Sequence, residues 1–224
     1  MEKLEHTQRY LQIAFNGDLS IVRKVLPQIQ YDSRIMIEAG TPFIKREGMR
    51  GLNMICRIWP GIVVADLKTN DGAQEEVEMA AAAGANAATV LGSCPTETLN
   101  LFVSHCSRLG IISMIDMIGV DEVLDVMRPL KKPPDVVVIH RGRDEENTRG
   151  KVIKYKQINR IRSKFDVFIS AAGGVDERES RSAIFNGANI VVVNIVRPGE
   201  EWQGISSQDD VGRIIKSYMI TLGN

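Results

Sequence analysis

The stretch Val63-Val64-Ala65-Asp66-Leu67-Lys68-Thr69-Asn70-Asp71-Gly72 shows one unit of the pattern that decides the fold. It opens with apolar residues, which is typical of a strand buried on both faces of a parallel sheet. Asp66 and Lys68 lie two positions apart and should share one face of the strand, and Asp71 falls where the chain turns into a helix. Three charges this close at the end of a buried strand are costly unless they pair or bind a ligand. An ordinary ion pair with a helix cap is the alternative.

Short β-branched runs of the same kind recur along the whole chain, and we predict strands at Tyr10–Phe15, Arg34–Glu38, Ile62–Asp66, Ala87–Leu91, Ile111–Ile115, Asp135–Ile139, Asp166–Ser170 and Ile190–Val193. Segments with helical periodicity lie between them, at Leu19–Ile29, Glu75–Ala83, Thr96–Arg108, Asp121–Leu130, Val152–Phe165, Glu177–Phe185 and Asp209–Thr221, and a further helix is expected to follow Thr41-Pro42. Strands that alternate with helices indicate βαβ units and a parallel sheet.

Eight such units without a long linker predict a single compact (β/α)8 TIM barrel, an α/β fold. The domain is expected to cover residues 1–224, with residues 1–9 as a short N-terminal arm. The alternative is an open doubly wound sheet, which often carries a Gly-rich nucleotide loop after its first strand. Asn16-Gly17-Asp18 stands at that place, and no G-x-G-x-x-G or Walker pattern occurs in the sequence. The barrel is therefore favoured.

Composition argues against several classes of protein. The 28 basic and 28 acidic residues balance, so bulk charge indicates neither a nucleic-acid nor a membrane partner. No apolar run approaches the roughly 18 residues of a membrane span, and the first residues lack the apolar core of a signal peptide. Cys56, Cys94 and Cys106 show no disulfide or zinc spacing and read as reduced thiols. These features predict a cytoplasmic protein.

The active site of a (β/α)8 barrel lies at the carboxyl ends of its strands. The residues there are polar and suit a small phosphorylated molecule; they are Asn16, Glu38, Asp66 with Lys68, Thr89, Asp116, His140 and the pair Gly173-Gly174. Because strands from the whole chain meet at this face, we expect these residues to converge on one site.

Two of these strand ends predict a metal site. Mg²⁺ prefers one or two carboxylates and keeps several waters, so Glu38 and Asp66 on neighbouring strands would suffice for Mg²⁺ or Mn²⁺. Capping of the following helix is the alternative role for Glu38. His140 ends an apolar strand and is predicted to move a proton between carbon and oxygen, unless it is an ordinary core histidine.

Two other features predict a phosphate site. Gly173-Gly174 lets backbone N–H groups approach an anion next to the start of a helix, although a plain βα turn has the same composition. The loops after strands seven and eight are the usual phosphate site of this barrel. An Arg such as Arg143, after the sixth strand, could clamp a phosphate bidentately, whereas Arg141 and Arg143 could equally be surface charge.

The chain resembles the orotidine-phosphate decarboxylase superfamily and, within it, the 3-hexulose-6-phosphate synthase family. The stretch from Glu38 to Gly48 is similar to that family's second strand, and Asp66-Leu67-Lys68-Thr69-Asn70-Asp71 is similar to its D-x-K-x-x-D signature. Leu11-Gln12-Ile13-Ala14 looks like that family's first strand, and the match continues in order through Thr89-Val90-Leu91-Gly92, Asp116-Met117-Ile118 and Gly173-Gly174-Val175. A sister family, 3-keto-L-gulonate-6-phosphate decarboxylase, shares the scaffold, and His140-Arg141-Gly142-Arg143-Asp144 looks more like that relative.

Two positions depart from the family pattern. The first strand commonly ends in Asp, where this chain has Asn16. The eighth strand commonly ends in Gly-Arg with the Arg on phosphate, where this chain has Asn194-Ile195. Either Arg197 reaches the phosphate, or the backbone and Arg143 hold it.

The resemblance implies a reversible aldol reaction that joins formaldehyde to D-ribulose 5-phosphate and gives D-arabino-3-hexulose 6-phosphate. It implies a Mg²⁺-stabilised enediolate on Glu38 and Asp66, Lys68 as a fixed charge, and His140 as base and later acid. Asp71 would orient Lys68 and would come from the partner subunit of a homodimer. A decarboxylase of 3-keto-L-gulonate 6-phosphate or orotidine 5′-phosphate, and a non-catalytic sugar-phosphate-binding barrel, remain the alternatives.

Overall fold

The structure, a computed structural model, describes residues 4–146, 148, 150 and 152–223. Eight parallel strands form its sheet: β1 Tyr10–Phe15, β2 Ile35–Ala39, β3 Val63–Thr69, β4 Ala87–Leu91, β5 Ile112–Asp116, β6 Val136–His140, β7 Phe168–Ala172 and β8 Ile190–Val196. Each strand pairs with the next, and β1 also pairs with β8, so the sheet is closed. The closed barrel predicted from the sequence is confirmed over the open sheet.

Eight helices surround the barrel within the described chain: α1 Leu19–Val25, α2 Thr41–Ile58, α3 Ala73–Ala82, α4 Thr96–Leu109, α5 Val123–Met127, α6 Lys156–Arg162, α7 Glu177–Phe185 and α8 Val211–Leu222. α2 was predicted only at its start, and Gly48 interrupts it with a φ of 62°. α6 is shorter than predicted because residues before it remain in a loop. A two-residue strand β9, Ile205–Ser206, pairs with the end of β8 and was not predicted.

The strands bury both faces, as their continuous apolar runs predicted. Alternate residues such as Tyr10, Met36 and Val64 fill the barrel interior as one apolar cluster, and the residues between them pack against the helices. Along β5, this alternation points Met114 into the interior and brings Asp116 to the same face at the carboxyl end. The polar strand ends are thereby directed to the mouth of the barrel.

Side-chain caps and glycines mark the ends of several helices. The side chain of Asp18 accepts hydrogen bonds from the N–H groups of Ser20 and Ile21 and caps α1. Gly84 and Gly187 end the segments before β4 and β8 with φ of 98° and 95°, a left-handed conformation that glycine adopts without steric cost.

The N-terminal arm lies against the other mouth of the barrel. Leu4 packs against the interior cluster, and the His6 ring stacks on Phe168 with 4.1 Å between centroids. The carboxyl-end mouth is left for a ligand. Within the residues described, the structure has no helix with the length and apolar character needed to cross a bilayer.

Candidate active site

A cavity of about 300 Å³ opens at the carboxyl ends of the strands. Most of the residues predicted from the sequence line it: Asn16, Glu38, Asp66, Lys68, Thr89, Asp116, His140, Arg143, Gly173 and Asn194. The lining also includes Gln12, Thr41, Ile118, Asp144 and Glu146. The closed barrel thus brings strand ends from across the whole chain into one concave site. Ligand sites of (β/α)8 barrels are concave and lie at this end of the strands.

Asp66 is held in place by the start of α2 and by β4. Its carboxylate accepts hydrogen bonds from the Thr41 N–H at 3.2 Å, the Thr41 hydroxyl at 2.7 Å and the Thr89 hydroxyl at 2.8 Å. Thr41 is the first residue of α2, so Asp66 satisfies one of the N–H groups that every helix start leaves unpaired. The buried carboxylate therefore has one fixed orientation before any ligand arrives.

Lys68 approaches Asp66 through an irregular backbone. Its φ is 48°, and the pairing of β3 with β4 shifts register between Ala65 and Thr69. A left-handed backbone at a residue other than Gly costs roughly 1–3 kcal/mol and persists only where the surroundings impose it. Here the Lys68 N–H donates to the Thr89 hydroxyl at 2.9 Å. The expected proximity of Asp66 and Lys68 is found, but a bulge and not regular alternation produces it.

The Lys68 ammonium bridges two carboxylates. Its Nζ lies 2.7 Å from Oδ2 of Asp66 and 3.0 Å from Oδ2 of Asp116. Burial alone would lower the pKa of Lys68, but the charges of Asp66 and Asp116 outweigh burial and raise that pKa. Lys68 is therefore a permanent cation within the cavity.

Asp116 also holds the imidazole of His140. Both carboxylate oxygens lie 2.9 Å from Nδ1 of His140, and the Ile118 N–H donates to Oδ1 of Asp116 at 3.0 Å. Burial alone would lower the pKa of His140 and raise that of Asp116. Their mutual attraction reverses both effects, so the pKa of His140 is raised and that of Asp116 lies well below its usual range. With Nδ1 held by Asp116, Nε2 is the imidazole nitrogen left for a ligand.

Glu38 has a different environment from the other carboxylates. It is 7% exposed and accepts a hydrogen bond from the side-chain amide of Gln12. Burial first, and then repulsion from Asp66, raise the pKa of Glu38 to about 7. The alternative role as a cap is not observed, because Gly40 stands at the N-cap of α2 without a side-chain cap bond.

The donor set fits the predicted divalent cation. Three carboxylates, Glu38, Asp66 and Asp116, face one ammonium and one imidazole, and Glu38 relieves the imbalance by its raised pKa. Among the described residues, no three His, Cys, Asp or Glu side chains converge to form a protein-only metal cage. Two carboxylates and water are what Mg²⁺ accepts, so Glu38 and Asp66 remain the residues that would hold it.

The predicted phosphate end contains both expected and unexpected side chains. Arg143 lines the cavity, and its guanidinium lies 5.3 Å above the ring of Trp202. Asn16 donates to the side-chain oxygen of Asn194 at 3.1 Å, so the two residues that depart from the family pattern contact one another. Gly173 has a φ of 105°, and a Cβ there would lie 2.0 Å from the carbonyl oxygen of Arg141, so only glycine fits.

The structure places three predicted residues outside the cavity lining. Asp71 is exposed after β3, and within this chain Asp66 and Asp116 pair with Lys68 in its place. The guanidinium of Arg197 donates to Asp18 at 2.7 Å and does not line the cavity, and its predicted contact with the phosphate stays a prediction.

Gly174 is the third predicted residue that lies outside the cavity lining. A Cβ there would lie 2.5 Å from Nη2 of Arg141 and 2.9 Å from the carboxyl carbon of Glu146. The two side chains therefore fill the space in front of Gly174. Arg141 itself donates to the carbonyl oxygen of Gly173 at 2.9 Å, so it supports the glycine turn.

Sequence reasoning missed four contributors: Gln12, Thr41, Glu146 and Trp202. Gln12 occupies an inward position of β1 two residues before Ala14, and Thr41 begins the helix after β2, so strand alternation and proximity to a strand end could have indicated both. Glu146 and Trp202 lie in loops whose contacts depend on the tertiary structure. The Gln203 N–H donates to Glu146 at 3.3 Å and joins these loops above the cavity.

Comparisons with known proteins identify the family of the chain. Residues 18–194 match the family model described as Orotidine 5'-phosphate decarboxylase / HUMPS family. The chain belongs to this family.

Curated relatives of this family member are longer proteins. The bifunctional enzyme Fae/Hps of Methanothrix thermoacetophila is 38% identical over 186 residues, which cover 82% of this chain and 47% of the relative. The bifunctional enzyme Fae/Hps of Methanocaldococcus jannaschii is 33% identical over 217 residues, which cover 96% of this chain and 52% of the relative. The chain spans about half the length of the curated relatives it matches.

Solved structures of the family share the whole barrel. A 3-hexulose-6-phosphate synthase from Salmonella typhimurium has a TM-score of 0.78 at 24% identity, and the match covers 95% of this chain and 98% of that one. A second 3-hexulose-6-phosphate synthase has a TM-score of 0.72 at 26% identity, with 95% and 99% covered. KGPDC from Streptococcus mutans has a TM-score of 0.75 at 16% identity, with 96% and 97% covered, and shows the common fold alone.

Proposed function

We propose that this chain is an aldehyde-lyase that joins formaldehyde reversibly to D-ribulose 5-phosphate and gives D-arabino-3-hexulose 6-phosphate. The observation that carries the proposal is the chain of contacts Asp66, Lys68, Asp116 and His140 within one cavity, with 2.7, 3.0 and 2.9 Å between successive partners. It combines a fixed cation with an imidazole held by a carboxylate, which suits proton removal next to a carbonyl group.

The relatives support this choice of reaction. The Fae/Hps proteins are described as bifunctional, and this chain matches about half of their length. We infer that it corresponds to the Hps activity, because a 3-hexulose-6-phosphate synthase that is 26% identical matches 95% of this chain and 99% of itself.

In the proposed reaction, His140 removes a proton from C1 of ribulose 5-phosphate through Nε2. The electron pair left on the substrate forms an enediolate, and Lys68 stabilises the negative charge on its oxygen. A new carbon–carbon bond then forms between C1 and formaldehyde, and the imidazolium of His140 returns the proton to the former aldehyde oxygen. Asp116 keeps the imidazole in the required orientation and tautomer during both transfers.

Glu38 and Asp66 would hold a Mg²⁺ or Mn²⁺ ion, which supplies positive charge beside the carbonyl and hydroxyl oxygens of the substrate. Thr41 and Thr89 keep the Asp66 carboxylate oriented for this role. Arg143 and the backbone at Gly173 would bind the phosphate at the opposite wall of the cavity, with Asn16 and Asn194 beside them.

The proposal includes a homodimer with shared active sites. Asp71 is exposed, so its carboxylate is free to enter the cavity of a second copy next to Lys68. This arrangement can be tested by mixing Asp71→Ala and Lys68→Ala chains. If Asp71 acts in the partner's site, each mixed dimer holds one intact site, and roughly a quarter of wild-type activity returns. If Asp71 acts in its own chain, no mixed dimer has an intact site and activity stays absent.

A cytoplasmic location is part of the same proposal. Cys56, Cys94 and Cys106 are free thiols in the structure. Unpaired cysteines are typical of a reducing compartment.

The direct test is formaldehyde consumption by the purified chain with D-ribulose 5-phosphate and Mg²⁺. We expect formaldehyde to disappear in step with formation of a hexulose phosphate, and Asp66→Ala to abolish this turnover while the barrel stays folded. No consumption by the wild-type chain, or substantial residual activity in a folded Asp66→Ala variant, would contradict the proposal.

Two other functions give different results in this assay. A decarboxylase of 3-keto-L-gulonate 6-phosphate or of orotidine 5′-phosphate on the same scaffold would release carbon dioxide and leave formaldehyde untouched. A non-catalytic barrel, for which the Asn16–Asn194 contact is the motivating observation, would bind the sugar phosphate without turnover.

A further inference from the structure

Gln12 is a buried polar residue to which the proposed reaction assigns no step. It lies on β1, is 3% exposed and lines the active-site cavity. Its side-chain Nε2 donates to Oε2 of Glu38 at 2.5 Å. Within the described chain, its Oε1 is buried and has no hydrogen-bond partner.

A buried amide with only one half satisfied destabilises the folded chain unless something else supplies the missing partner. An apolar side chain of the same length would avoid this cost in the free protein. The unpaired Oε1 is an acceptor only, so the missing partner is a donor. Because the residue lines the cavity, a bound ligand can supply that donor.

Ser170 on β7 provides the comparison within the same barrel. Its hydroxyl is also buried without a partner, and it lies between Phe168 and Ala172 of the interior cluster. However, Ser170 is not among the residues that line the cavity. A ligand in the cavity can therefore complete the hydrogen bonds of Gln12 but not those of Ser170.

We propose that Gln12 is a positioning and specificity residue, which holds Glu38 with its amide N–H and accepts a hydrogen bond from an O–H group of the bound ligand with its amide oxygen. The inference rests on the proposed function, because the O–H donor is either a hydroxyl of the sugar phosphate or a water on the divalent cation. A site built in this way rejects a ligand that lacks the hydroxyl, because the buried acceptor then stays unpaired.

The test compares wild type with Gln12→Met, which keeps the length of the side chain but removes both polar atoms, and with Ser170→Ala as the matched control. Calorimetry measures binding of Mn²⁺ alone and then of D-ribulose 5-phosphate at saturating Mn²⁺. We expect Gln12→Met to weaken Mn²⁺ binding roughly threefold or more. The combined affinity for Mn²⁺ and D-ribulose 5-phosphate should fall roughly tenfold. An additional loss for the sugar phosphate identifies a sugar hydroxyl as the donor, and a loss confined to Mn²⁺ identifies water on the cation. Ser170→Ala should bind both probes as wild type does.

Gln12→Glu separates this role from a purely structural one. It keeps an oxygen acceptor at the same place but replaces the N–H that holds Glu38 with a second carboxyl group, whose repulsion disturbs the Glu38 carboxylate. We expect its KM for ribulose 5-phosphate to stay within about threefold of wild type while kcat falls. Gln12→Met should raise that KM if a sugar hydroxyl is the donor, and should weaken only Mn²⁺ binding if water on the cation is the donor.

The outcomes separate the two proposals. Unchanged binding in Gln12→Met, or an equal rise in KM in both variants, overturns the assignment of Gln12 while wild-type turnover stands. A wild-type chain that binds neither Mn²⁺ nor ribulose 5-phosphate overturns the assignment and the proposed function together.

Discussion

Replacement of Asp116 by Asn is the most informative perturbation of the site. Asp116 is 2% exposed and connects the two positive groups of the cavity, with Lys68 at 3.0 Å and Nδ1 of His140 at 2.9 Å. Asn has the same shape but no charge, and its amide can donate to Nδ1 of His140. The imidazole would then carry its proton on Nε2, which is the wrong tautomer for a base.

The magnitude follows from these contacts. Where a buried carboxylate holds a catalytic imidazole in other enzymes, substitution by the amide lowers kcat about 10⁴-fold. Lys68 keeps Asp66 as a partner at 2.7 Å, so we expect a loss of roughly 10³- to 10⁴-fold. Breaking a buried charge pair costs about 3–5 kcal/mol, and the retained partner favours the lower end. For a chain of this size, about 3 kcal/mol lowers Tm by roughly 6–12 °C.

The pH profile gives a second, independent readout. The neutral imidazole is the active base, so kcat/KM should rise with pH through the pKa of His140. The charge of Asp116 is what raises that pKa against the effect of burial. Without that charge the pKa of His140 falls, and the acidic limb of the profile should move to lower pH in Asp116→Asn.

The assay is formaldehyde consumption across a pH series from acidic to mildly alkaline, together with thermal unfolding. Asp125→Asn is the matched control, because Asp125 pairs with Arg128 at an exposed site and should leave both kcat and the profile unchanged. If kcat of a folded Asp116→Asn variant stays within tenfold of wild type and the acidic limb does not move, the assignment of His140 as the base held by Asp116 is wrong.

Four further predictions concern the other parts of the site. His140→Ala should slow exchange of the C1 proton of ribulose 5-phosphate in deuterium oxide, measured by NMR; unchanged exchange would move the base elsewhere. Chelation of divalent metal should remove aldolase activity and added Mg²⁺ or Mn²⁺ should restore it, whereas full rate in chelator would exclude the metal role. The pKa of Glu38, about 7 in the folded chain against 4.5 in the unfolded chain, means that the folded state binds an extra proton between these values. The metal-free wild-type chain should therefore lose on the order of 3 kcal/mol of its free energy of unfolding as pH rises from 4.5 to 7. The Glu38→Gln variant should not show this loss. Equal denaturant midpoints at both pH values in wild type would contradict the prediction. Glu146→Gln should bind inorganic phosphate roughly threefold tighter than wild type, because the wild-type Glu146 carboxylate faces the backbone at Gly174. Glu201→Gln is the exposed control. Identical phosphate affinities in wild type and Glu146→Gln would show that Glu146 does not compete with phosphate.

Much of the barrel was predictable because its signals are local. Each of the eight predicted strands is present, and the bounds agree within two residues except at the carboxyl ends of β3 and β8, which run further. The helix that was predicted only at its start, α2, contains Gly48 with a positive φ, which breaks the helical periodicity on which sequence reasoning depends.

The polar ends of the strands were predictable as a set, but their partners were not. The sequence predicts that Glu38, Asp66, Asp116 and His140 face one mouth, because alternation and strand direction are fixed by the backbone. It predicted a substrate contact for Asp116, whereas the structure gives it contacts with His140 and Lys68. Which side chain pairs with which depends on distances across strands that are far apart in the chain.

The amino-acid sequence by itself determined the eight repeating units, the closed barrel and the mouth at which chemistry-bearing residues collect, since these follow from periodicity and chain direction. Only the tertiary structure decided that Lys68 meets Asp66 through a bulge with a φ of 48°, that Arg197 pairs with Asp18, and that Gln12 contacts Glu38. The physical reason is that hydrogen bonds and ion pairs act over about 3 Å, and residues 26 or 179 positions apart come that close only after the sheet has closed.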